Sequence, residues 1–247
     1  MTEPLRNRRD AEQSLAGTVN GRWLRAAVVT QSVGLFLVLA LALFAPAGTL
    51  TWLVGWLYLA LFFGFFLGVN AWLYRHNPGL LQERLSLTRA DQKGWDKALF
   101  PLLLVLPFAW LVFISMHAVR FHWSPEPGWL QGVGAVVLLC SFNLFFLTFR
   151  ENSYLSTVVR VQTERGHCVI ATGPYRYVRH PMYAGFLLFM IGTPLFLGSW
   201  YGVLLGLAFM ILLARRAVLE ERTLQAALPG YADYMTQVKF RLVPYVW

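Results

Sequence analysis

Between residues 167 and 183 an otherwise apolar chain becomes crowded with groups that can bear charge or donate hydrogen bonds. The run is His167-Cys168-Val169-Ile170-Ala171-Thr172-Gly173-Pro174-Tyr175-Arg176-Tyr177-Val178-Arg179-His180-Pro181-Met182-Tyr183. Pro181 suits the first position of a helix, where the amide proton it lacks is not needed. That places His180 at or near the cap, and the free N–H groups of the first turn favour an anion. A second group lies further on, Arg215-Arg216 followed by Glu220-Glu221. Arg216 and Glu220 are four apart and share a helix face, but Arg before Glu is the weaker order for a surface ion pair. Carboxylates where a helix leaves lipid are costly unless they face a polar pocket. A connector at the headgroups would also be rich in Arg and Tyr. The ordered set Gly173-Pro174-Tyr175 and Arg179-His180-Pro181 speaks for a site instead. His167, Cys168, His180 and Glu220 are ligand types that suit zinc, yet their spacing fits no standard zinc pattern, so no metal is expected. Glu83, in another polar loop, is expected to take no part, and the isolated His76, His117 and His122 read as interfacial.

The elements that must position these residues are membrane helices. Of the 247 residues 57% are hydrophobic and only 13% charged, against about 25% charged in a soluble domain, and the mean hydropathy is +0.52. Runs over residues 24–44, 52–74, 100–119 and 129–149 are long enough to cross a bilayer, which takes roughly 20 residues. Residues 181–197 and 200–213 form a shorter hairpin around Gly198-Ser199, and its second arm continues as a charged helix to residue 228. Polar loops at 75–97 and 150–179 lie between spans. The expected fold is therefore an all-α integral membrane protein of about six membrane helices, the last two a short hairpin. It divides into a flexible cytosolic tail (1–21), four spans (22–149) and a C-terminal core (150–247). Ser141 and Asn143 in the fourth span, and Asn70 in the second, are candidates for interhelical hydrogen bonds.

The net charge of +9 could suggest nucleic acid, but its placement argues for a membrane. With the N-terminus in the cytosol, four groups of five Lys and Arg fall on the cytosolic side, and Arg120 alone of the 21 falls outside. That is the positive-inside pattern, with both termini cytosolic and a bacterial inner membrane as the expected location. It also brings the 167–183 loop and the Glu pair to one side. The two cysteines give no disulfide framework, and the Arg-rich N-terminus has no signal-peptide cleavage pattern. No nucleotide-binding glycine motif is present. A transporter or sensor would be the non-enzyme alternative, but a transporter should carry ionisable residues in mid-span, and these spans have essentially none.

As an ordered set, His167, Thr172-Gly173-x-Tyr175, Arg179-His180-Pro181-x-Tyr183, a hairpin, then Arg216 before Glu220-Glu221 resembles the isoprenylcysteine carboxyl methyltransferase family and its phospholipid methyltransferase relatives. The likeness covers roughly the C-terminal third. The family's acidic residues after this point are replaced here by Pro229-Gly230-Tyr231-Ala232. The resemblance implies S-adenosylmethionine as cofactor in a cytosolic cofactor site, lined by His167, Cys168, Val169, Ile170, Tyr175, His180, Pro181, Met182, Tyr183 and Glu220, with Arg216 meeting the substrate as the catalytic residue. The residue types fit that cofactor: Arg and His at a helix N-terminus for its carboxylate, Glu220 for its ammonium or ribose, Tyr175 and Tyr183 for adenine or sulfonium. The implied partners are membrane lipids and a lipophilic methyl acceptor, whether carboxylate, amine headgroup or small thiol; the oligomeric state stays open.

Overall fold

The computed structural model describes residues 21–86, 91–123 and 127–247. The expected N-terminal tail with Arg6, Arg8 and Arg9 lies outside the described residues, as does Arg89. The chain is helical: α1 (Gly21–Ala47), α2 (Leu53–His76), α3 (Pro78–Leu85), α4 (Gly94–Ser115, prolonged by a π-helical turn over Met116–Phe121), α5 (Gly128–Glu151), α6 (Pro181–Leu197), α7 (Trp200–Ala227) and α8 (Tyr231–Gln237). No strand occurs among the described residues. Five helices, α1, α2, α4, α5 and α7, are long and apolar enough to cross a membrane. At about 1.5 Å per residue, the 17 residues of α6 reach about 26 Å, short of the roughly 30 Å hydrocarbon layer. The hairpin expected from the sequence is thus a short arm and a long one, since α7 runs unbroken for 28 residues from Trp200 through the charged segment.

The expected polar loop over residues 75–97 is partly helical. Asn77 accepts a hydrogen bond from Leu80 N at 3.0 Å and Pro78 occupies the first turn, the standard way to start a helix. Leu80, Leu81 and Glu83 are buried, and burial of the two leucines fixes α3 against the bundle. α4 begins at Gly94, six residues before the apolar run, because the buried Asp96 has partners there.

Small residues set the helix spacing. A methyl at Gly134 would lie 2.3 Å from Phe196 N and one at Gly192 2.6 Å from Leu138 N, so the α5 and α6 backbones touch, as small residues permit in membranes. Ser141 Oγ donates to Gly185 O at 2.9 Å across that contact. Asn70 instead bonds Phe66 O of its own helix. Gly206 of α7 sits against Met190 O, and Trp110 Nε1 of α4 donates to Gly202 O at 2.7 Å. Phe62, Phe65, Phe142, Phe145 and Phe189 interlock between these helices, Phe65 stacking on Phe142 at 4.5 Å. Val33, Leu37, Leu41, Val105 and Ile211 face outward, where lipid is their solvent. His117 departs from the interfacial expectation: it is fully buried, among Phe113, Trp123 and Tyr201, because the π-helical turn carries its ring inward.

Candidate functional site

The polar ends of α2, α5 and α7 meet α3 and the beginnings of α4 and α6 at one end of the bundle. The chain leaving α5 is pinned at once. Asn152 Oδ1 accepts from Tyr154 N at 2.8 Å, and its Nδ2 donates to Tyr175 OH at 2.7 Å. Residues 155–160 then run, with a bend at Thr157 and Val158, against α3 and the start of α4. Ser156 Oγ donates to Glu83 Oε1 at 3.0 Å, Thr157 Oγ1 to Ser86 O at 2.9 Å and Val159 N to Asp96 Oδ2 at 2.9 Å. Arg160, buried, bonds Glu83, Asp91 and Glu164 together. Glu83 is therefore not the idle carboxylate expected. It is 4% exposed, and a polar group so buried is costly without such partners.

A 3-10 turn over Thr163–Arg165 and Gly166 at φ 64° return the chain to His167. The ring of His167 stacks on Tyr154 at 4.5 Å, and its Nδ1 accepts from Gln162 N at 3.3 Å. Burial, then the nearby Arg165 and Arg160, hold its pKa down to about 4, so it is neutral with the proton on Nε2. Residues 167–170 line the opening. At Gly173, φ is +56° and a Cβ would fall 2.4 Å from Glu151 Cγ, so the turn needs glycine. The 3-10 turn Gly173–Arg176 then buries Tyr175. Its hydroxyl is held above the ordinary tyrosine range mainly by burial and acts as a neutral group.

α6 starts as expected, with Pro181 in its first turn and His180 at the cap position. The His180 side chain does not cap the helix; Nε2 lies 3.2 Å from Glu221 Oε1, and the ring stacks on Tyr183 at 5.3 Å. The adjacent carboxylates of α7 take different tasks. Glu221, 3% exposed, gathers Arg179 Nε at 2.6 Å, Arg241 Nε at 2.8 Å and His180. Arg179 NH1 also reaches Val238 O, and Arg179 N and His180 N bond Phe240 O and Arg241 O. This hub ties the motif loop to the segment after α8. Glu220, half-buried, receives only the Tyr183 hydroxyl, at 2.8 Å on Oε2. Its Oε1 has no partner among the described residues. Arg216 does not pair directly with Glu220 despite the helical spacing. Its NH1 donates to Tyr183 OH at 2.6 Å, so the tyrosine sits between the two; its Nε meets Asp96 Oδ1 at 2.9 Å and its NH2 meets Thr157 O at 3.0 Å.

These groups surround one cavity of about 340 Å³. All eleven residues expected from the sequence line it: His167, Cys168, Val169, Ile170, Tyr175, His180, Pro181, Met182, Tyr183 and Glu220, with Arg216. Sequence reasoning missed the rest of the wall. Asn152, Tyr154, Tyr231 and Tyr234 complete the polar end, and Phe100, Leu103, Pro107, Phe186, Phe189 and Phe209 form an apolar side between α4, α6 and α7. Arg84, from α3, also lines it. The Gly230-to-Tyr234 spacing was the signal available for the tyrosines; nothing local marked Asp96 or Arg84. Among the described residues no three His, Cys, Asp or Glu side chains form a group able to hold a metal.

Comparison with known proteins matches residues 133–226 to the isoprenylcysteine carboxyl methyltransferase (ICMT) family. A protein of Schizosaccharomyces pombe named Protein-S-isoprenylcysteine O-methyltransferase is 34% identical over 85 residues, 34% of this chain and 36% of that protein. The likeness thus spans about a third of either chain, and it falls on α5, the motif loop, α6 and α7, which carry the cavity. Residues 133–226 of this multi-pass helical membrane protein are thus similar to the isoprenylcysteine carboxyl methyltransferase family.

Proposed function

We propose that the chain is an integral membrane methyltransferase that takes its methyl group from S-adenosylmethionine and passes it to a lipophilic acceptor, a carboxylate by preference. The observation that carries this reading is a single cavity with a polar end around Glu220, Tyr183 and His167 and an apolar side of phenylalanines and α4 residues. A polar cofactor and an apolar acceptor need such a two-sided space. When bound, the cofactor supplies an activated methyl on a sulfonium, so no protein nucleophile is required. The donor set fits it. Glu220 Oε1 is unengaged and suits an ammonium or a ribose hydroxyl. The free N–H groups at the start of α6 suit a carboxylate. Neutral tyrosines and the neutral His167 offer faces for a planar base or a sulfonium.

In this reading the residues act by alignment. Arg216, clamped by Asp96 and Thr157, fixes the Tyr183 hydroxyl, which in turn orients Glu220. Holding donor and acceptor in line is worth several kcal/mol, on the order of 7–11 in well-oriented intramolecular cases. Apolar walls exclude water from the transfer, and an ionised carboxylate acceptor has no proton to lose. The relative's printed name, an isoprenylcysteine O-methyltransferase, supports oxygen as the acceptor atom. A phospholipid amine or a thiol would meet the same cofactor end. Positive residues on one side of the spans support a cytosolic cavity and cytosolic termini, which reporter fusions at residue 20 and after Trp247 check: an outside reading at either end contradicts it. The activity is tested by incubating the purified chain with tritiated S-adenosylmethionine and a total membrane extract. Label released as methanol by alkali marks a carboxyl methyl ester; alkali-stable label marks nitrogen or sulfur, and no label rejects the reading.

A further inference from the structure

Four arginines line the cavity, Arg84, Arg160, Arg179 and Arg216, and one of them is used differently. Arg216, the one expected to meet the acceptor, is committed to the protein at all three guanidinium nitrogens: Asp96, Tyr183 and Thr157. Arg84 is not. Its NH1 donates to Leu155 O at 3.1 Å, and its guanidinium lies over the Phe149 ring, 4.5 Å from the centroid. It forms no ion pair among the described residues. A guanidinium carries five N–H donors, so four have no acceptor among the described residues. Phe149 packs against the guanidinium, and the donors left over are of the kind that bind a carboxylate bidentately. Burial without a carboxylate nearby lowers its pKa to about 10, still far above neutrality, so the cation persists. Elsewhere in this layer each buried arginine has an acid: Arg160 has Glu83, Arg179 has Glu221 and Arg216 has Asp96. A desolvated cation without one, facing a cavity, is a vacancy for an anion.

We propose that Arg84 is the carboxylate-binding residue of this cavity, its unengaged guanidinium donors receiving the carboxylate of a bound ligand. The inference rests on the methyltransferase reading for the identity of that ligand, which has two possible sources, the amino-acid end of the cofactor and the acceptor. Arg84 is a specificity and positioning residue; it holds one end of a ligand and takes no part in bond making.

The test is binding of four probes to the purified full chain and to its Arg84→Gln variant by calorimetric titration. S-adenosylhomocysteine carries the cofactor carboxylate and 5′-methylthioadenosine lacks the amino-acid end. N-acetyl-S-farnesylcysteine carries an acceptor-like carboxylate and its amide is neutral. Arg84→Gln weakens one of the two carboxylate ligands tenfold or more and leaves its carboxylate-free counterpart within twofold. The ligand affected names the source. Equal binding of both carboxylates to both proteins overturns the proposal, and so does a parallel loss across all four probes, which marks a structural residue. An Arg84-dependent carboxylate amphiphile without any nucleoside binding to the wild-type chain upholds Arg84 and overturns the cofactor reading. No binding of any probe overturns both.

Discussion

Replacing Asp96 by Asn tests the layer that holds Arg216. Asp96 is fully buried, and both of its oxygens are used. Oδ1 accepts from Arg216 Nε at 2.9 Å, and Oδ2 accepts from Gln92 Nε2 and Val159 N, each at 2.9 Å. An amide has one oxygen and one NH2. Turned either way, the NH2 must face a donor: the Arg216 guanidinium, or Val159 N–H together with Gln92. The variant therefore loses at least one charge-assisted bond and leaves the Arg216 cation with no carboxylate. Breaking a buried pair from one side costs about 3–5 kcal/mol. At roughly 2–4 °C per kcal/mol for a chain of this size, the melting temperature in detergent should fall by about 6–20 °C. Tryptophan fluorescence or size-exclusion thermostability reads it. Combining Asp96→Asn with Arg216→Met removes both charges, and the double variant should melt above the sum of the single losses, because replacing a whole buried pair is often near neutral. A single variant melting within about 2 °C of wild type, or strict additivity in the double variant, refutes the clamp.

Further outcomes follow from the same geometry. Glu220→Gln removes the charge but keeps the size, and should weaken S-adenosylhomocysteine by about 1.5–3 kcal/mol, the range for a hydrogen bond to a charged group; unchanged titration heats reject Glu220 as a cofactor contact. Arg216→Lys keeps one charge but cannot hold Asp96, Thr157 and Tyr183 together, so methyl transfer should drop on the order of a hundredfold for an ångström of misplacement while S-adenosylhomocysteine still binds. Full activity would return Arg216 to a mere helix anchor. His167 has its folded pKa lowered from 6.5 to about 4, so its contribution to stability is complete above pH 6.5 and is lost as pH falls toward 4, with a slope of at most about 1.4 kcal/mol per pH unit. Wild type should therefore lose stability relative to His167→Gln across that window; a difference that stays flat between pH 7 and pH 4.5 contradicts the buried neutral imidazole.

The spans were legible because lipid imposes a strong rule: backbone groups must be satisfied within a helix, so an apolar run of sufficient length reads directly. The motif loop was legible as a dense polar run ending at Pro181, and all its chosen residues do reach one cavity. What spacing could not tell was direction. Glu220 and Glu221 are neighbours in sequence, yet one faces the cavity and the other the arginine hub, which only the docking of the segment after α8 decides. Arg216 and Glu220 suggested an i,i+4 pair, but Tyr183 from another helix comes between them. The partners of Arg216 and Arg160 lie far off in the chain, Asp96 at a separation of 120 residues and Glu83 at 77. Long-range polar pairs leave no periodic trace, so α3, Glu83 and Arg84 read as ordinary loop residues. His117 was misplaced for a similar reason, since a π-helical turn rotates its side chain out of the α-helical phase.

The most direct test of the central claim is titration of S-adenosylhomocysteine into the purified wild-type chain, repeated with Glu220→Gln. The account predicts saturable binding at one site per chain, weakened in the variant by roughly ten- to a hundredfold, which is 1.5–3 kcal/mol at about 1.4 kcal/mol per decade. Absence of saturable binding to the wild-type chain would contradict it.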